Sequence, residues 1–184
     1  MRESIMKNKN IIRIALATAF ILMIPAVAMQ FTDEVKWSLG DFLFAGTLLF
    51  GAGLAYELLA RRTGNIAYRC AVGLAVATAV ILVWANLAVG IIGTEDNPAN
   101  LMYFGVLAIG ITSAIVARFR AHGMARALLA TAAAQMLVPV IAQIIWKPQF
   151  ASGALGVFVL NVFFVVLFLG SALLFQRASA KDPT

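Results

Sequence analysis

The chain has 184 residues, of which 62% are hydrophobic and only 12% charged. Its mean hydropathy is +0.94. Soluble domains carry roughly 25% charged residues, so a water-soluble globule of this length is not expected: too few polar side chains are present to cover its surface. One cysteine, Cys70, excludes an internal disulfide. Together with a single histidine, His122, it cannot supply a zinc or haem ligand set. The net charge of +6 is scattered over short segments with no aromatic-interleaved basic surface. The expected partner is therefore a lipid bilayer and not nucleic acid.

Taken in order, the first apolar run covers residues 11–30 and follows Arg2, Lys7, Lys9 and Arg13. It is long enough to span a membrane. Its rival reading is a secretory signal with a cleavage site at Ala26-Val27-Ala28, which would leave five helices and an outside N-terminus. Pro25 is expected to kink it. The linker Asp33, Glu34, Lys36, Trp37 leads to Ser38, three residues before Asp41, a capping-box spacing with Asp in place of Glu. The second run covers 39–60 and ends with Glu57 and Arg61 spaced for an ion pair along one helix face. Arg61, Arg62 and Arg69 follow, with Gly64 and Asn65 read as helix-ending residues.

The third run covers 70–93, with Ala71, Ala75 and Ala79 forming a small-residue packing face. Glu95 and Asp96 follow, then Asn97-Pro98, an N-cap and first-turn proline. The fourth run covers 99–117, and Arg118, Arg120, Gly123 and Arg126 follow it, Gly123 being read as a helix end. The fifth covers 124–146 and contains Pro139, and the sixth, after Lys147, covers 154–175. A shift of 57 residues lays Ala60-Arg61 on Ala117-Arg118 and Arg69 on Arg126. This is a weak echo that the regular spacing of basic linkers also explains.

Every even linker is rich in Lys and Arg, and every odd one is poor in them. The positive-inside rule then places both termini in the cytoplasm, with Trp37 and Trp146 at the outer ends of helices two and five. The expected fold is an all-α integral membrane protein, one domain over 1–184. It is a bundle of six transmembrane helices in a bacterial inner membrane, resembling in type the small multi-pass inner-membrane proteins of bacteria.

No G-x-S-x-G, H-E-x-x-H or Walker-type loop occurs, and no carboxylate pair lies deep in a span. No enzymatic activity and no cofactor are therefore expected. The amides within the spans are Asn86, Gln135, Gln143 and Asn161. At 1.5 Å per residue, Asn86 lies about 24 Å from the inner end of its helix and Asn161 about 12 Å below the outer end of its own. The candidate ligand site is thus Trp84, Asn86, Gln143 and Asn161 in the outer half of the membrane. Glu95, Asp96 and Asp41 form an acidic, cation-attracting ring around it. The competing reading takes the amides as glue between helices, worth about 0.6–2 kcal/mol each. Two functions follow. One is a small-solute or ion permeation or binding unit, as a homo-oligomer; the other is a non-catalytic accessory or scaffold subunit in a larger membrane complex.

Overall fold

Every regular element is helical in the computed structural model, which describes residues 2–145 and 153–181; no strand occurs among them. Six helices are long and apolar enough to cross a membrane, with mean hydropathies of 1.7 to 2.7 within their spans. They suggest a multi-pass transmembrane protein. The chain divides into two compact units, Met1–Arg61 and Arg62–Thr184.

The first unit is a helical hairpin of α1 (Arg2–Phe31) and α2 (Leu39–Ala60). Both strong local signals in it operate. Ser38 Oγ accepts from the Asp41 backbone N–H at 3.2 Å, while the Asp41 carboxylate accepts from the Ser38 N–H at 2.7 Å. Each thereby satisfies a donor that the helix start would leave unpaired. At the far end of α2, Glu57 pairs with Arg61 and also accepts from the Asn10 side chain of α1. The helices run antiparallel in one register: Asn10 meets Glu57, Ile14 lies against Gly53, and Leu22 against Gly46. A Cβ on Gly53 would come within 2.5 Å of Ile14, so the close approach needs a residue without one. Helix α1 runs through Pro25 without interruption.

The second unit packs α3 (Ile66–Ala88), α4 (Met102–Val116), α5 (Ala121–Ile145) and α6 (Gly153–Lys181), with a 3₁₀ turn at Pro98–Leu101 leading into α4. Helix α6 lies between α5 and α3, and α4 packs on α5. The buried seam of α6 runs through Val157, Asn161, Phe164, Phe168, Ser171, Phe175 and Ala178, with Ala172 buried beside it. Their alternating spacing of four and three is the seam of left-handed helix packing. Helix α5 repeats it with Met124, Leu128, Thr131, Gln135, Val138 and Ala142, continuing through Pro139. Helices α3 and α6 are antiparallel. Asn65 donates to the Ala178 carbonyl, the Tyr68 and Phe175 rings meet edge to face at 5.0 Å, and Ser171 donates to the Ala71 carbonyl at 2.7 Å.

Helix ends differ from the apolar runs because capping groups, and not hydrophobicity, set them. Helix α3 starts at Ile66 and not at 70. Asn65 is its N-cap, accepting from the Ala67 N–H at 2.9 Å, and does not end α2. The same helix stops at Ala88 and not at 93, because Gly90 and Gly93 take positive φ values of 70° and 73°. Gly123 lies inside α5 and closes nothing. The reversal after α4 is made by Arg118 and Phe119, with φ of 49° and 58°. The Arg118 N–H donates to Ile115 and the Phe119 N–H to Ala114, the paired bonds of a Schellman ending built without glycine. Helix α6 continues six residues past 175 to Lys181. Trp146 and Lys147 lie outside the described residues.

Residues 89–97 fold back on the bundle. Ile91 and Ile92 are buried there, and Asn100 binds the loop from within, accepting from the Ile92 N–H at 2.9 Å and donating to the Thr94 carbonyl at 2.7 Å. At Gly90 an added Cβ would come within 2.5 Å of the Thr94 and Glu95 backbone. Gly90→Ala is therefore expected to destabilise the unit by about 1–3 kcal/mol, through a left-handed φ and a backbone clash together. Thermal unfolding in detergent checks this, with Gly64→Ala, which meets nothing within 4 Å, as the silent control.

Candidate functional site

Three helices bring polar side chains together in the interior of the second unit. Asn161 of α6 is fully buried, and its Nδ2 donates to the Val157 carbonyl one turn back at 2.8 Å. That bond orients the amide. Its Nδ2 also reaches the Tyr103 hydroxyl of α4 at 3.0 Å, and its Oδ1 accepts from Gln135 Nε2 of α5 at 3.0 Å. The Tyr103 hydroxyl in turn lies 3.2 Å from Asn161 Oδ1. Because Asn161 turns its oxygen toward Gln135, Gln135 must answer with its nitrogen. Its own Oε1 is left over, and this atom has no hydrogen-bond partner although the residue is 0% exposed. A buried amide oxygen without a donor is costly, about 1–3 kcal/mol, so a donor from water or a solute is expected to meet it.

The cluster lies nearer the end of the unit that carries the 89–97 loop. Asn161 is eight residues into α6, about 12 Å from its start, and Gln135 ten residues from the end of α5, about 15 Å. Asn86, two residues before the end of α3, is also buried, and its Oδ1 also lacks a partner. Continued at the register of the Tyr68–Phe175 contact, α3 carries Asn86 to the level of Val157, one turn from Asn161. The buried hydroxyls differ: Thr78 and Thr131 donate to carbonyls one turn earlier on their own helices, and Ser171 to α3. The unpaired buried side-chain atoms of the described residues are thus the two amide oxygens.

The seven sequence-derived candidates distribute as follows. Asn161 and Asn86 face the interior. Trp84 is 40% exposed on α3; two residues from Asn86, it points from a different side of the helix. Gln143 is exposed, one residue past buried Ala142. Glu95 and Asp96 are exposed on the loop that closes this end. Asp41 belongs to the Met1–Arg61 unit, where its carboxylate caps α2. The residues that meet Asn161 are Tyr103 and Gln135, which the candidate set lacks. A signal for both existed. Gln135 falls on the four-three series through Leu128, Thr131 and Val138, whereas Gln143 falls beside it, and a tyrosine inside an apolar span needs a partner for its hydroxyl. Among the described residues no group of three His, Cys, Asp or Glu side chains could hold a metal ion. No family model, curated protein or solved structure matches the chain.

Asn161→Leu would strand both Tyr103 and Gln135, whereas Gln135→Leu removes a side chain that is already half unpaired. Asn161→Leu is therefore expected to destabilise by about 1–3 kcal/mol and Gln135→Leu by less than about 1 kcal/mol. Reversible unfolding in mixed detergent micelles measures the difference. Equal losses would show that Gln135 Oε1 is engaged in the folded protein.

Proposed function

We propose that the chain is a six-span protein of a bacterial inner membrane with both termini in the cytoplasm, and that its second unit binds and passes a small solute. The solute class is a neutral hydrogen-bond donor or a monovalent cation of ammonium type. The observation that carries this reading is the unpartnered Oε1 of buried Gln135 beside Tyr103 and Asn161. An acceptor held ready in an apolar interior favours a donor small enough to enter between helices. Glu95 and Asp96, exposed on the loop at the nearer end, would raise the local concentration of a cation. With no carboxylate in the cluster, its chemistry suits a solute that sheds water easily better than a divalent ion.

The orientation rests on the alternation of basic and acidic linkers. It is tested by maleimide labelling in intact cells on a Cys70→Ser background. Glu95→Cys is expected to react with a membrane-impermeant reagent from outside, and Arg120→Cys only after permeabilisation. The reverse pattern would invert the topology.

The solute reading is tested in proteoliposomes, with glycerol entry followed by light scattering and ammonium entry by an internal pH dye. The native chain is expected to exceed empty liposomes for one of the two, and Gln135→Leu to lower that flux by about tenfold with the fold intact, the loss of one well-placed hydrogen bond. Flux equal to empty liposomes for both sinks this reading. An accessory role would then lead. It is supported by Gly105, Ala108 and Thr112, small side chains exposed together along one face of α4 where a partner helix could approach closely.

A further inference from the structure

The opposite end of the second unit is built quite differently. There a recess of about 930 Å³ opens between the turn before α3, the α4–α5 turn and the last residues of α6. Arg62, Asn65, Arg120, His122 and Ser179 line it, and none of the described residues around it is an aspartate or glutamate. Two arginines and a histidine from two separate segments thus line one concave surface.

Three acceptors that bound this recess are already engaged. Asn65 Oδ1 takes the Ala67 and Tyr68 N–H groups, the Phe119 carbonyl takes the Tyr68 hydroxyl at 2.7 Å, and the Ala178 carbonyl takes Asn65 Nδ2. Ser179 Oγ donates to the Gln176 carbonyl, so the charged donors that this surface offers outward are the arginines. The Arg62 guanidinium lies 4.9 Å over the Phe119 ring, which holds its plane while leaving its edge N–H groups available. Phe119 is itself held in a left-handed conformation by the Schellman bonds of α4. A forked donor stacked on a ring, with a second arginine lining the same recess, matches a tetrahedral oxyanion carrying more than one negative oxygen. The volume is at the upper end of small-ligand sites, larger than a bare inorganic anion needs.

We propose that this recess binds a phosphate ester, with Arg62 and Arg120 as the principal contacts and His122 as a further donor. The ester has two sources. One is the headgroup of an anionic phospholipid, a source that rests on the transmembrane reading, in which the recess sits at the headgroup level of the more basic face. The other is a soluble phosphate ester, which does not depend on that reading.

Two arms separate the sources, both on the full chain in neutral detergent. In the first, native mass spectrometry follows lipid retained from an equimolar mixture of phosphatidylglycerol and phosphatidylcholine. In the second, thermal unfolding is followed as glycerol 3-phosphate is added. Retention of phosphatidylglycerol at about tenfold over phosphatidylcholine, lost in the Arg62→Gln/Arg120→Gln double variant and kept in Lys36→Gln, supports the lipid source. Protection by glycerol 3-phosphate that the double variant lacks, without lipid preference, supports the soluble one and leaves the transmembrane reading untouched. The proposal is overturned if the native chain shows neither preference nor protection, a result that needs no variant to fold. It is overturned equally if the double variant binds as well as the native chain.

Discussion

Polar atoms buried among apolar helices must find their partners inside the bundle, and in the Arg62–Thr184 unit most of that pairing between helices runs through α6. Asn161 joins it to α4 and α5, Ser171 joins it to the backbone of α3, and the Ala178 carbonyl receives Asn65 from the start of α3. These bonds sit on the same four-three seam as the phenylalanines that fill the core, Phe164, Phe168 and Phe175. In lipid the tails are as apolar as the side chains, so helices gain little by hiding hydrophobic surface. Packing and hydrogen bonds must supply the specificity. The seam of α6 combines both, with large rings giving contact area and the amide and hydroxyl setting register.

The two ends of this unit are chemically distinct. At one end a tightly wound loop buries Ile91 and Ile92, is braced by Asn100 and carries two exposed acids; the amide cluster lies within the nearer half of the helices. At the other, Arg62 and Arg120 line an open recess where the Phe119 and Ala178 carbonyls are already taken. An amide oxygen without a partner in the interior and guanidinium groups with no acid among the described lining residues are opposite demands. The first asks for a donor, the second for an anion. On the proposed readings they would take ligands of different chemistry at the two ends of one scaffold.

Much of the fold was legible because its signals are local. Length and apolarity mark each span, and the Ser38–Asp41 capping box, the Glu57–Arg61 pair and the Asn97-Pro98 turn are each decided within four residues of chain. The misreadings arose where a distant contact overruled the local sign. Asn65 and Gly123 look like helix endings, yet Asn65 starts α3 while bonding Ala178, and Gly123 lies within α5. The residues that do turn left-handed are an arginine and a phenylalanine, and the Tyr68 hydroxyl bonded to the Phe119 carbonyl is one reason the turn holds there. The echo over 57 residues fares similarly: α4 and α5 share one unit, whereas α2 and α3 fall in different ones.

The amides show the same division. That Asn86, Gln135, Gln143 and Asn161 sit within apolar helices follows from the sequence alone, as do the six apolar segments and the alternation of charge between them, because length, hydropathy and charge sign are properties of residues taken in order. Which of those amides meet is a different kind of fact. A single step along α5 turns a side chain by about 100°, enough to separate exposed Gln143 from buried Ala142, which shares the seam of Gln135. Whether Tyr103 reaches Asn161 depends on how three helices are rotated against one another. Rotation is fixed by the summed fit of whole seams, and so the pairing of Tyr103, Gln135 and Asn161, with one oxygen left unpaired, was decided only when the helices packed.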